Sequence, residues 1–241
     1  ADSGIGSLRG AIATAKNGDT IQFSTKLANK TITLKTGQLV LTKNLTIDGG
    51  KAPGLKVSGN QKSRVFYLDR KKTATIRNLT IADGKTKGAG GGIDTRHEST
   101  ITLDNVKVHN NTSELGGGMR VGHLAKATIL NSRFKGNDGT LTNKHAGVSA
   151  GAISHNESRG QLVIKGTTFE NNTGFNGGAI YSFSGVTFSV EDSAFRNNVA
   201  KKEGGGAIFT DGGSSKGYDS GLAGEGKITI RSSEFKGNRA H

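Results

Sequence analysis

The chain has 241 residues, no cysteine, one proline and 38 glycines. Without cysteine there is neither a disulfide framework nor a thiolate metal centre, and no apolar run reaches the length of a membrane span. Lys and Arg number 33 against 19 Asp and Glu, a formal charge of +14, and a field of that sign attracts polyanions such as acidic polysaccharide, lipopolysaccharide or nucleic acid. A merely soluble basic surface is the plain alternative, since the cations are scattered along the whole sequence.

The first predicted element is a short amphipathic helix. Leu8, Ala11, Ile12 and Ala15 recur at helical spacing, Ser7 is the N-cap and Gly18 the stop. Such a helix would cover the first turn of a stacked fold and keep its edge from pairing with strangers. Short strands follow, marked by Ile21 and Phe23, Ile32 and Leu34, and Leu39 and Leu41. Ala1-Asp2-Ser3 is compatible with a mature start after signal cleavage.

Further on the chain repeats itself. F-x-x-N stands at Phe134–Asn137, Phe169–Asn172, Phe195–Asn198 and Phe235–Asn238, and G-G-A-I at Gly177–Ile180 and Gly205–Ile208. Looser G-G-A-I copies end at Ile93, Met119 and Ile153. Ile81 to Val108 is 27 residues, and both Val108 to Phe134 and Phe169 to Phe195 are 26. Two longer intervals, 35 and 40, place insertions near 138–148 and 212–226. Apolar rows at Ile76, Leu103, Ile129, Ile164, Val190 and Ile230, and two residues before each, alternate with polar residues as half-buried strands do. Three short strands per repeat, stacked like on like, predict a parallel β-helix. Asn111, Asn137, Asn172, Asn198 and Asn238 share one position. The reading gives them a structural role, in a side-chain ladder and in the left-handed backbone of a corner. The Gly pairs supply another corner, where a Cβ would clash. One domain, 1–241, is expected, with a cap at 1–20, irregular first coils at 21–75 and regular repeats at 76–241.

These motifs resemble the repeats of the polymorphic outer membrane proteins. The stretch Ser7-Leu8-Arg9-Gly10-Ala11-Ile12 is similar to the S-L-R-E-A-I segment that opens many large secreted bacterial β-helix proteins, with Gly10 in place of Glu. The resemblance implies a right-handed parallel β-helix, all-β, of about seven to nine coils with a short N-terminal capping helix. It also implies an extracellular or cell-surface setting. It prescribes no catalytic residue.

The candidate site is the G-G-A-I strand. The position after its inward Ile or Met reads Asp94, Arg120, Ser154, Tyr181 and Phe209, and the turn beyond holds Arg96, His97, His123, Asn156 and Phe183. A lyase that cleaves a uronate polymer needs a cation for the carboxylate, a base for the C5 proton and an acid for the leaving oxygen. Arg120, His123 and Tyr181 would fill those roles. Without catalysis, Arg96, His97, Arg120, His123, Tyr181, Phe183 and Phe209 would line a glycan-binding groove. The plain alternative makes Asp94 and Arg120 a surface ion pair and His155, on the inward register, a satisfied corner histidine.

Other chemistries have less behind them. Facing carboxylates for glycoside hydrolysis are absent from the pattern. Asp211 with Asp219 is too thin for calcium, and no metal or cofactor is expected. Three Tyr and no Trp leave little to stack on bases, which argues against nucleic acid. The expectation is therefore an adhesin-type or structural module that binds acidic polysaccharide. A polysaccharide lyase and a filament or matrix subunit are the alternatives. The sequence ends at Phe235–His241, where the pattern calls for another G-G-A-I strand. Occupation of that end by further repeats or a second copy is expected, with Lys236, Arg239 and His241 as the alternative edge protection.

Overall fold

The computed structural model describes residues 2–155, 159–183, 186–202, 204–211 and 227–241. The second predicted insertion, 212–226, lies outside them, as does Asn156. Each regular coil lays down three strands, as in Thr100–Asp104, Lys107–His109 and Met119–Val121. Equivalent strands of successive coils pair in parallel. Among the described residues they build sheets A and B of eight strands each and sheet C of seven. A fourth, three-stranded sheet joins Thr173–Gly174, Val199–Ala200 and Arg239–Ala240. The described residues form a parallel β-helix of about seven coils.

Alternation puts the apolar rows inside. In sheet A, Ile101 and Leu103 stack between Ala74 and Ile76 on one side and Ala127 and Ile129 on the other. In sheet B the Phe residues of F-x-x-N stack ring on ring, Phe134 to Phe169 at 5.2 Å, Phe169 to Phe195 at 4.7 Å and Phe195 to Phe235 at 4.8 Å. Sheet C contributes Ile93, Met119, Ile153, Ile180 and Ile208. The middle outward row of sheet A is almost uniformly β-branched or hydroxylic: Thr20, Thr46, Thr75, Thr102, Thr128, Val163, Ser189 and Thr229. Such side chains suit a half-exposed pleated surface.

Polar ladders hold the corners. Asn111, Asn137, Asn172 and Asn198 are fully buried. The side-chain oxygen of each of Asn137, Asn172, Asn198 and Asn238 accepts the backbone N–H and the side-chain amide of the Asn one coil before, at 2.8–3.1 Å. The left-handed backbone, however, does not belong to these residues. It falls on the residue before each: Asn110, Gly136, Asn171, Asn197 and Gly237, at φ between +54° and +65°. The turn needs φ > 0 at the exposed position, and the next side chain must then point inward to reach the ladder. A second ladder, not anticipated from the sequence, joins sheets A and B. The hydroxyls of Ser132, Thr167, Ser193 and Ser233 each accept a backbone N–H from the preceding coil, at 3.0–3.3 Å.

At the N-terminal end, α1 (Leu8–Thr14) buries Leu8 and Ile12, and the Ser7 hydroxyl accepts the Gly10 N–H at 3.0 Å. The helix stops at Thr14, before Gly18. The Ala15 N–H closes the last turn on Ala11, and Ala15 itself is extended at ψ 151°. A Cβ at Gly10 would lie 2.3 Å from the Gly4 carbonyl oxygen, so Glu cannot stand there with this backbone. Asp2 fastens the same end: its carboxylate accepts N–H bonds from Lys35 and Thr36 at 2.8 Å.

Candidate functional site

The outward row of sheet C runs Val40, Tyr67, Asp94, Arg120, Ser154, Tyr181 and Phe209 across seven paired strands. The expected register is observed, but the centre of the row is not an open groove. Asp94, Arg120, Ser154 and Tyr181 are buried. The glycine-rich segments that precede each strand fold over them. A Cβ at Gly90 would stand 3.0 Å from the Asp94 Cα, and one at Gly116 2.9 Å from the Ser154 nitrogen. The backbone can therefore pass close enough to exclude water.

Asp94 and Arg120 are consequently a buried pair rather than a surface one. Arg120 Nε donates to Asp94 Oδ1 at 2.6 Å, and the two side chains are 7% and 3% exposed. Two more guanidinium groups approach the same carboxylate, Arg64 at 3.5 Å and Arg96 at 3.9 Å. Both also lie over the Tyr67 ring, at 5.6 and 5.7 Å. Burial lowers the Arg64 pKa. The neighbouring Arg120 and Arg96 push it the same way, against the attraction of Asp94. Three guanidinium groups thus converge on one carboxylate.

The other candidates are dispersed. His97 and His123 stack at 5.0 Å on adjacent coils, and His97 Nε2 lies 2.6 Å from Glu98. Tyr181 is two coils from Arg120, about 10 Å away at the strand spacing. Its hydroxyl donates to Asp211 at 3.3 Å, and its ring stacks on Phe209 at 5.8 Å. Burial first, and Asp211 second, raise its pKa above that of ordinary tyrosine. Phe183 is half-buried, and its N–H donates to the His155 carbonyl. His155 points inward between Val121 and Ser182, as the register requires, but it is not satisfied. Neither ring nitrogen has a hydrogen-bond partner among the described residues, and burial pushes its pKa down to about 3.

Arg64 and Tyr67 were missed by the sequence reading because they lie in the early coils, where no F-x-x-N fixes the register. Their legible signal is the Val65-Phe66-Tyr67-Leu68 alternation. Among the described residues no group of three or more His, Asp or Glu is arranged for a metal ion, and no helix is long and apolar enough to cross a membrane.

The right-handed β-helix region family matches residues 30–218. The chain belongs to that family. No curated protein and no solved structure matches it.

Proposed function

We propose that this β-helix is a binding module of adhesin or structural type for acidic polysaccharide, at the cell surface or in the extracellular space. The observation that carries the reading is the outer face of sheet B. Its outward positions hold Lys107, Arg133, Lys135, Arg196 and Lys236, all exposed, against Glu170 and Glu234. The five strands span about 19 Å along the axis at the strand spacing. A linear polyanion laid along the axis would meet cations on four of five successive strands. The likeness of the F-x-x-N and G-G-A-I repeats to polymorphic outer membrane proteins supports the setting, and so does the S-L-R-G-A-I opening.

The lyase alternative is disfavoured by the same geometry. Arg120 is committed to Asp94, and Tyr181 is buried with its hydroxyl on Asp211. A panel of uronate and sulfated polymers, assayed for binding and for the absorbance of unsaturated uronate, decides between them. Binding without a rise in absorbance is expected. Cleavage that is lost in Tyr181→Phe or His123→Ala, with melting unchanged, would overturn the binding reading in favour of the lyase. No binding to any acidic polymer would also sink it.

One feature favours a second reading, self-association through the last coil. Ile228, Ile230 and Phe235 are 50%, 44% and 46% exposed there. A second copy or further repeats would cover this apolar rim. Sedimentation across a concentration series tests this. A strict monomer at high concentration rules it out.

A further inference from the structure

We infer that the corner between sheets B and C in the early coils is a specific site for one carboxylate or sulfate group of an acidic sugar. This rests on the polyanion reading above and adds to it a site separate from the sheet B face. An open cleft of about 600 Å³ lies there, lined among others by Gln38, Lys62, Arg64, Lys85, Lys87 and Leu141, and no carboxylate is among its lining residues. Its position follows from the coil geometry. Residues 59–65 and 84–90 leave sheet B on successive coils and return to sheet C. The Lys85 N–H donates to the Ser63 carbonyl at 3.0 Å, which holds the two segments side by side.

Arg64 is built in, while the three lysines are exposed. Arg64 Nε donates to the carbonyls of Ala89 and Gly90 at 3.0 and 2.9 Å, Nη2 to Ala89 at 2.6 Å, and Nη1 to Gln38 Oε1 at 2.6 Å. Its role is therefore a fixed field and shape. The lysines, in no ion pair among the described residues, are left to close on a ligand. Beneath the cleft, Arg64, Arg96 and Arg120 all approach the Asp94 carboxylate, and the lining itself holds four cations, Lys62, Arg64, Lys85 and Lys87, with no carboxylate. Glu114, on the next coil, donates its N–H to Gly88 O and accepts the Thr142 hydroxyl at 2.8 Å. It is not in the lining.

A cation excess held by backbone carbonyls, with neutral donors around it, favours a compact anion over a second protein cation. Gln38 and Gln61, also in the lining, offer amides for sugar hydroxyls. Carboxylate and sulfate ester share the required chemistry.

The test uses two short probes, a galacturonate trisaccharide and a sulfated disaccharide. Both are too small to span the sheet B face. Titration by calorimetry would compare the parent with two triple variants of equal charge loss: Lys62→Gln, Lys85→Gln, Lys87→Gln in the cleft, and, as a control away from both the cleft and the sheet B face, the exposed Lys16→Gln, Lys26→Gln, Lys51→Gln. The cleft variant should bind at least one probe about tenfold more weakly, and the control variant should be unchanged. Which probe responds identifies carboxylate or sulfate. Equal weakening in both variants, or no binding of either probe by the parent, overturns the site. The polymer reading is judged separately, by whether Lys107→Gln, Lys135→Gln, Lys236→Gln on sheet B loses affinity for long polymer.

Discussion

Asn172 shows how much one side chain carries in this fold. Its oxygen accepts from the Asn137 backbone and side chain, and its amide donates to Phe134 O and to Asn198. Asn172→Ala strands at least two buried donors, each costing about 1–3 kcal/mol. The expected loss is about 3 kcal/mol or more by urea denaturation. Asn171→Gly, at the neighbouring left-handed position, should be near neutral, since Gly adopts φ > 0 freely. The reverse order of effects would show that the corner, and not the ladder, is the critical device. The sequence revealed the ladder because identical residues recur at one spacing. It could not reveal which of two adjacent asparagines turns the backbone, because both tolerate φ > 0 and only the direction of the side chain separates them. His155 makes a second residue-scale case. Its folded pKa of about 3 lies below the unfolded value near 6.5, so the unfolded chain binds the extra proton between those limits. Stability is therefore retained above pH 6.5 and lost as pH falls toward 3. Between pH 7 and 4 the loss is on the order of 3 kcal/mol. His155→Leu should flatten the curve by that amount, and an unchanged pH profile would mean that the imidazole is solvated or paired.

At the scale of the element, the sheet B ring stack separates interior from end. Phe169 is fully buried between two rings, while Phe235 is half exposed on the last coil. Phe169→Ala should cost about 3–5 kcal/mol through the cavity it leaves. Phe235→Ala should cost about 1–2 kcal/mol, since much of that side chain is already in water. Equal losses, measured by thermal or urea melting, would show that the last coil is covered in solution. Strand positions were readable because inward residues repeat with period two within a strand and with period 26 between coils. The burial of sheet C's outer row was not readable. Alternation marks Asp94, Arg120 and Tyr181 as outward; the close approach of the glycine-rich segments, the guanidinium groups on Asp94, and Asp211 and Phe209 against Tyr181 go with their burial. The run of glycines before each strand was the available signal, since side chains absent from one segment leave room for another. The helix end was also misplaced. Gly18 looks like a stop, but the chain leaves the helix at Ala15 to reach the first strand of sheet A.

For the whole molecule, the charge of +14 is carried on a parallel stack of coils. The parallel stack fixes cations on sheet B at the strand repeat, so a bound polyanion would meet an ordered array. The salt dependence of binding bears most directly on this. Polygalacturonate affinity should fall steeply from low to physiological ionic strength, where charges more than about 8 Å apart are screened. The Lys107→Gln, Lys135→Gln, Lys236→Gln variant should show a shallower slope. Binding that is strong at every salt concentration, or absent at the lowest, would contradict the proposal that this β-helix is a charge-directed binder of acidic polysaccharide.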